Sequence, residues 1–205
     1  MMSGIEEIRK QNQRTLIILV LAFILPVAAA WLVYINMDSA GKTRNNGELI
    51  TPPRPLEAFN VQTVDGKAFG FEQLKGNWHL VYIGSGACEQ QCRDSLSKMH
   101  QTRLAQGKAM SRVRLLYLAL DKKSLTNANE LKNKYARLTV VSGERADVDV
   151  TAKLFQTDNK FNIREGRLIY MIDPLGNLMM RYKTETRLIG IIKDLEHLLK
   201  ISQIG

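Results

Sequence analysis

The sequence is poor in cysteine and histidine. Its 205 residues hold two cysteines, Cys88 and Cys92, so all disulfide, thiol or thiolate-ligand chemistry falls on one pair. The three histidines, His79, His100 and His197, stand apart from that pair and read as structural residues. His100 lies eight residues after Cys92 and faces the cysteine end only loosely. No block of Lys and Arg is interleaved with aromatics, so no nucleic-acid partner is expected. There is no internal repeat and no low-complexity tract. Charge is missing altogether from the twenty residues Leu16 to Ile35 (LIILVLAFILPVAAAWLVYI).

That uncharged run is the first positive signal. At about 1.5 Å per residue it spans a hydrocarbon core of roughly 30 Å. Trp31 and Tyr34 sit near its far end, where interfacial aromatics belong, and Pro26 is tolerated in a membrane helix. The expected division is a cytoplasmic tail at 1–15, a transmembrane anchor at 16–36, a linker at 37–54 and a soluble domain at 55–205. Arg9, Lys10 and Arg14 precede the span and place the N-terminus in the cytoplasm, against a weak opposing bias from Lys42 and Arg44. A cleaved signal peptide is the rival reading, with Ala28-Ala29-Ala30 as its site. The apolar run continues past that site to Ile35, which favours the anchor. Either way the rest of the chain is exported. The linker is rich in Gly, Asn, Lys and Pro, and Pro52, Pro53 and Pro55 stiffen its end.

The net charge of +9 lies wholly beyond residue 40, because Arg9, Lys10 and Arg14 balance Glu6, Glu7 and Asp38 before it. A basic exported domain favours acidic partners or anionic lipid surfaces. The hydrophobic content of 45% is enough for a packed core.

The domain is organised around WHLVYIGSGACEQQCR, Trp78 to Arg93. An apolar strand runs through a Ser85-Gly86-Ala87 turn straight into a helix. Cys88 therefore falls near a helix N-terminus, where unpaired N–H groups and the helix dipole favour a thiolate. Cys92 follows one turn later on the same face. The pair can meet as a dithiol, a disulfide or two metal ligands. As a purely structural bridge it closes a five-residue loop worth only about 2 kcal/mol in the chain-entropy model. In the redox reading Cys88 is the exposed, activated thiolate and Cys92 resolves the mixed disulfide. Ser85 raises peroxidase chemistry, but the Pro-rich approach to a peroxidatic cysteine is absent.

Around this stretch the pattern reads β-hairpin (59–71), β (79–83), α (94–107), β (113–120), α (126–138), β (138–141), α (146–155), β-hairpin (168–182), α (187–201). Strands alternating with helices predict an α/β fold, a mixed sheet with helices on both faces. A cysteine pair at the first strand-to-helix turn, with a closing β-hairpin and helix, makes it thioredoxin-like. Asp121 follows its strand at the end where ligands bind in open α/β sheets.

From Pro55 to the end, the chain resembles the Sco/SenC family of cytochrome oxidase assembly factors. The likeness rests on the C-x-x-x-C pair, on DGKAFGFEQLKGNWHLVYIG, on SGERADVDVTAKLF and on LIYMIDPLGNLMMRY. It implies a bacterial inner-membrane protein crossing once, with its domain in the periplasm. It also implies thiol–disulfide exchange on a protein substrate such as an oxidase subunit, with Cys88 and Cys92 catalytic. The alternatives it carries are a copper metallochaperone, binding the metal through Cys88 and Cys92, and a non-catalytic assembly scaffold. Two departures stand out. Glu89 replaces the Pro that follows the family's first cysteine. The family's third copper ligand is a His nine residues before the Pro of the last hairpin, and counting back from Pro174 gives Glu165. A carboxylate is a poor ligand for Cu(I), so Glu165 is expected to serve dithiol chemistry, by raising the thiol pKa or acting as a base.

Overall fold

The structure is a computed structural model and describes residues 2–36, 45–158, 160–202 and 204. It divides into two units, one carrying the first helix and the other everything from the first strand on.

Helix α1 (Met2–Asn36) includes the stretch expected as a tail as well as the uncharged run. Within it Gln11–Val33 is long and apolar enough to cross a membrane, and none of it is buried by protein. Leu19, Phe23 and Val27 are among its exposed apolar side chains.

The second unit is one mixed eight-stranded sheet. Its elements in chain order are β1 (Glu48–Pro55), β2 (Asn60–Thr63), β3 (Ala68–Gly70), α2 (Phe71–Leu74), β4 (Trp78–Gly84), α3 (Gln90–Leu104), β5 (Val113–Ala119), α4 (Ala128–Lys134), β6 (Leu138–Ser142), α5 (Arg145–Leu154), β7 (Leu168–Ile172), β8 (Asn177–Lys183) and α6 (Leu188–Ile201). The spatial order is β1-β8-β7-β4-β5-β6-β2-β3. Strands β4, β5 and β6 are parallel, and every other pairing is antiparallel. The expected thioredoxin-like α/β sheet with flanking helices is the one observed.

Strands β4 and β7 are buried along their whole length, which is why they read as unbroken apolar runs. One face packs on α3, α4 and α6 through Leu80, Leu96, Met99, Leu131, Leu195 and Leu199. The other packs on α2 and α5 through Leu74, Val81, Leu116, Val148 and Phe155. His79 is buried in β4, only 3% exposed, as a structural residue.

Two sequence expectations need correction. The linker does not run to residue 54. Residues 37–44 of it lie outside the described residues, whereas 48–54 belong to β1, which pairs with β8 at the sheet edge. Prolines lack an N–H, and an edge strand is where a sheet tolerates them. The buried carboxylate of Asp194 on α6 fixes the approach to β1 by accepting the N–H groups of Asn46 (2.8 Å) and Gly47 (2.9 Å). The helix expected at 126–138 is shorter, Ala128–Lys134, and is preceded by a 3₁₀ turn at Lys123–Leu125.

Candidate functional site

Strand β4 ends at Gly84, and the chain turns through Ser85, Gly86 and Ala87 before α3 begins. Gly86 has φ +75°, a left-handed conformation that L side chains rarely adopt. Glu89 caps α3, so Cys88 stands just before the helix and Cys92 lies within its first turn. The two cysteines are joined in a disulfide, with their Cα atoms 5.1 Å apart.

The disulfide lies under the surface. Cys88 is 3% and Cys92 7% exposed, and both belong to the core cluster with Tyr82, Leu96 and Met99. Cys88 is therefore not the exposed residue expected from its place near the helix end. Ala87, Glu89, Gln90 and Gln91 take the outer positions, and the sulfurs face inward beneath them. The Cys88 carbonyl accepts a hydrogen bond from Arg93 Nε at 3.1 Å, which holds the segment against α3.

Asp121, just beyond β5, steadies the turn from the next strand. Its Oδ2 accepts the Gly86 N–H at 2.8 Å, and its Oδ1 accepts the N–H and the hydroxyl of Ser124 at 2.9 and 2.8 Å. Burial raises the Asp121 carboxyl pKa. The donors from Gly86, Ser124 and Lys123 outweigh that effect and leave it below the ordinary aspartate value. In the sequence Asp121 is a carboxylate at the ligand-binding end of the sheet, placed to influence the dithiol's protonation. Its grip on the cysteine turn was not visible there.

The loop from Ile163 to Arg167 does lie beside the cysteine turn. Ser85 Oγ donates to the Arg164 carbonyl at 2.7 Å, and Gln91 Nε2 donates to the Gly166 carbonyl at 3.1 Å. Residue 165 is thus flanked on both sides by bonds to the cysteine segment. The Glu165 carboxylate itself pairs with Arg167 Nε at 2.9 Å, and its side chain is half-exposed. Gly166 takes φ +63°, and a Cβ there would overlap the Tyr82 hydroxyl. The sequence gives no sign of the bonds from Ser85 and Gln91 to this loop, because the partners lie nearly 80 residues away. A groove of about 800 Å³ adjoins the turn, with Asp121, Lys122, Glu144, Arg145 and Arg164 on its walls.

Among the described residues no three His, Cys, Asp or Glu side chains gather as a metal-binding group. The histidines do not supply one. On the far part of α3 the His100 ring lies tilted against Tyr135, and His197 is exposed on α6.

Comparisons with known proteins bear on the fold. A candidate copper-binding protein of Stutzerimonas stutzeri is 31% identical over 90 residues, which cover 43% of this chain and 41% of that protein. The match thus spans well under half of that relative's length. The copper-bound ScoI of Bradyrhizobium japonicum superposes with a TM-score of 0.56 at 20% identity, covering 68% of this chain and 96% of that one. BsSco superposes with a TM-score of 0.55 at 18% identity, over 74% of this chain and 96% of its own. It is described as a member of the Sco family of cytochrome c oxidase assembly proteins with a disulfide switch. These structures share the fold, as the sequence resemblance implied. Residues 78–202 match the model of one family throughout, and the chain belongs to it: the transmembrane-like, thioredoxin-like, C-terminal domain family.

Proposed function

We propose that this protein is a membrane-anchored thiol–disulfide oxidoreductase acting on a protein client during assembly of a respiratory oxidase. The single observation that carries the reading is the Cys88–Cys92 disulfide at the strand-to-helix turn of a thioredoxin-like domain. The names of the Sco neighbours support the oxidase setting. In this reading residues 16–36 anchor the chain in a bacterial inner membrane, and the domain faces the periplasm, where disulfide exchange is expected.

The chemistry follows from the pair. A client thiolate attacks one sulfur, forms a mixed disulfide and expels the other cysteine as a thiolate. A second client thiol, once deprotonated, attacks the client sulfur of that mixed disulfide. The client leaves oxidised, and this protein holds two reduced cysteines. The reverse sequence reduces a client disulfide. Because both sulfurs are buried, the residue 85–91 segment must open for attack, and the bonds from Asp121, Arg164 and Gly166 control that opening.

Copper is the second reading, supported by the likeness to a copper-binding relative and to the copper-bound ScoI. It would be cargo here. Reduced Cys88 and Cys92 offer two soft thiolates, which suit Cu(I). The neighbouring position offers Glu165, hard and already paired with Arg167, so the donor set fits exchange better than metal capture.

The test uses the full chain in detergent, equilibrated across glutathione redox buffers, with alkylation and mass measurement of the free thiols. A reversible two-electron transition supports the reading. A disulfide that stays closed at every glutathione ratio overturns it in favour of a scaffold. A parallel Cu(I) competition on the reduced chain decides the second reading.

A further inference from the structure

At the end of the parallel strands opposite the cysteine turn, three arginines gather, two from the strand starts and one from α3. Arg114 is the second residue of β5, and the register that pairs Leu115 with Leu138 sets Arg114 beside Arg137, just ahead of β6. Arg103, near the end of α3, donates Nε to the Val113 carbonyl at 3.0 Å, next to Arg114. Arg103 is only 6% exposed, and no carboxylate among the described residues pairs with any of the three. His100 stands three residues before Arg103 on the same helix face, and its ring lies 5.7 Å from Tyr135, two residues before Arg137. Its Nδ1 is buried with no hydrogen-bond partner.

Three features make this arrangement costly unless something negative completes it. Burying a guanidinium without a counter-charge is unfavourable. Burial and the neighbouring arginines lower the pKa of Arg103 and of Arg114. Arg137 has φ +67°, the one non-glycine residue with positive φ among the described residues. A bulky residue at that conformation is an outlier, and such strain collects at ligand sites. Glycine would sit there freely.

We propose that Arg103, Arg114 and Arg137, with His100, form a binding site for a phosphate-type oxyanion. Guanidinium groups suit this ligand, since their planar N–H forks match phosphate oxygens pairwise. A free phosphate and the headgroup of an anionic phospholipid share this chemistry. The site is independent of the cysteine pair, which lies at the opposite end of the parallel strands.

The full chain in neutral detergent is titrated with inorganic phosphate, and separately with short-chain phosphatidic acid below its micelle concentration. Sodium chloride at matched ionic strength is the control. Phosphate should raise the melting temperature where chloride does not. Arg114→Gln should weaken the phosphate Kd by about tenfold, as expected for one lost charge-assisted bond pair. Arg137→Gly relieves the backbone strain, so it should melt no lower than wild type without phosphate and still lose about tenfold in affinity. A phosphatidic acid Kd more than about tenfold below that of phosphate identifies a lipid headgroup, and comparable values identify free phosphate. No phosphate-specific shift, or a shift kept intact in folded Arg137→Gly, overturns the site.

Discussion

Asp121 Oδ2 accepts the Gly86 N–H at 2.8 Å, so a side chain at the end of β5 holds the turn that leads to Cys88. The other oxygen is taken up by Ser124. Asparagine has one acceptor oxygen and cannot serve both. Asp121→Asn should therefore cost about 2 kcal/mol of stability at neutral pH. It should also speed reduction of the disulfide by dithiothreitol, since the turn is freed. The folded-state carboxyl pKa lies below the ordinary aspartate value of 3.8. The contribution is thus present above that value and is lost as pH falls through the lower folded one. Wild type and variant should converge in acid. Guanidinium melts from pH 6 down to pH 2 check this, and a constant gap across the range contradicts the assignment.

His79 gives a second pH signature. Burial, together with the positive charge of Arg114, pulls its pKa from 6.5 to about 4, although the Asn77 carbonyl beside Nδ1 opposes this. Between those values the unfolded chain binds the proton and the folded chain does not. Stability therefore rises with pH across that window, is fully present above 6.5 and is lost on acidification. The depressed pKa corresponds to about 3 kcal/mol. His79→Gln, which keeps a side-chain donor, should flatten the dependence between pH 4 and 6.5. An unchanged slope in that variant would mean that another group titrates there.

At Gly166 the left-handed backbone and the Tyr82 hydroxyl act together. Gly166→Ala should cost about 2 kcal/mol or more, from backbone strain and overlap combined. Tyr82→Phe in the same chain removes the overlapping oxygen and should recover part of that loss. Thermal melting of the four combinations measures the coupling. If the two substitutions add without interaction, the close approach of this loop to β4 is not maintained in solution.

The elements that were legible in the sequence are those buried on both faces. The runs WHLVYIG and LIYMI leave no polar alternation, so a central strand is the only short element they suit. Helix α6 was legible because Ile191, Leu195 and Leu199 recur at helical spacing. Strand β1 was hidden by its prolines, which spell a linker to any local rule and become acceptable only once β8 places them at an edge. The site was half legible. The cysteine pair and the neighbouring loop followed from spacing and resemblance. The burial of Cys88 and the bonds from Asp121, Arg164 and Gly166 depend on tertiary contacts that leave no local pattern.

Glu165 decides between the two chemistries proposed for the cysteine pair. Its backbone is fixed beside the cysteine segment, because the carbonyls before and after it accept from Ser85 and Gln91. A side chain introduced there starts from a held position. The native carboxylate is paired with Arg167 and is too hard to favour Cu(I). Imidazole is neutral, softer and unable to pair with Arg167. With the cysteines reduced, Glu165→His should complete a set of two thiolates and one imidazole. Cu(I) affinity, measured by competition with a chromogenic chelator, should tighten by at least about tenfold. Glu165→Gln should leave copper binding weak. In the exchange reading it should alter the pH dependence of disulfide exchange, because it removes the carboxylate that could take a proton near the thiols. A wild-type chain that already holds one equivalent of Cu(I) against a strong chelator, with no gain from Glu165→His, would reverse the order of the two readings. The protein would then be a copper carrier using a ligand other than residue 165.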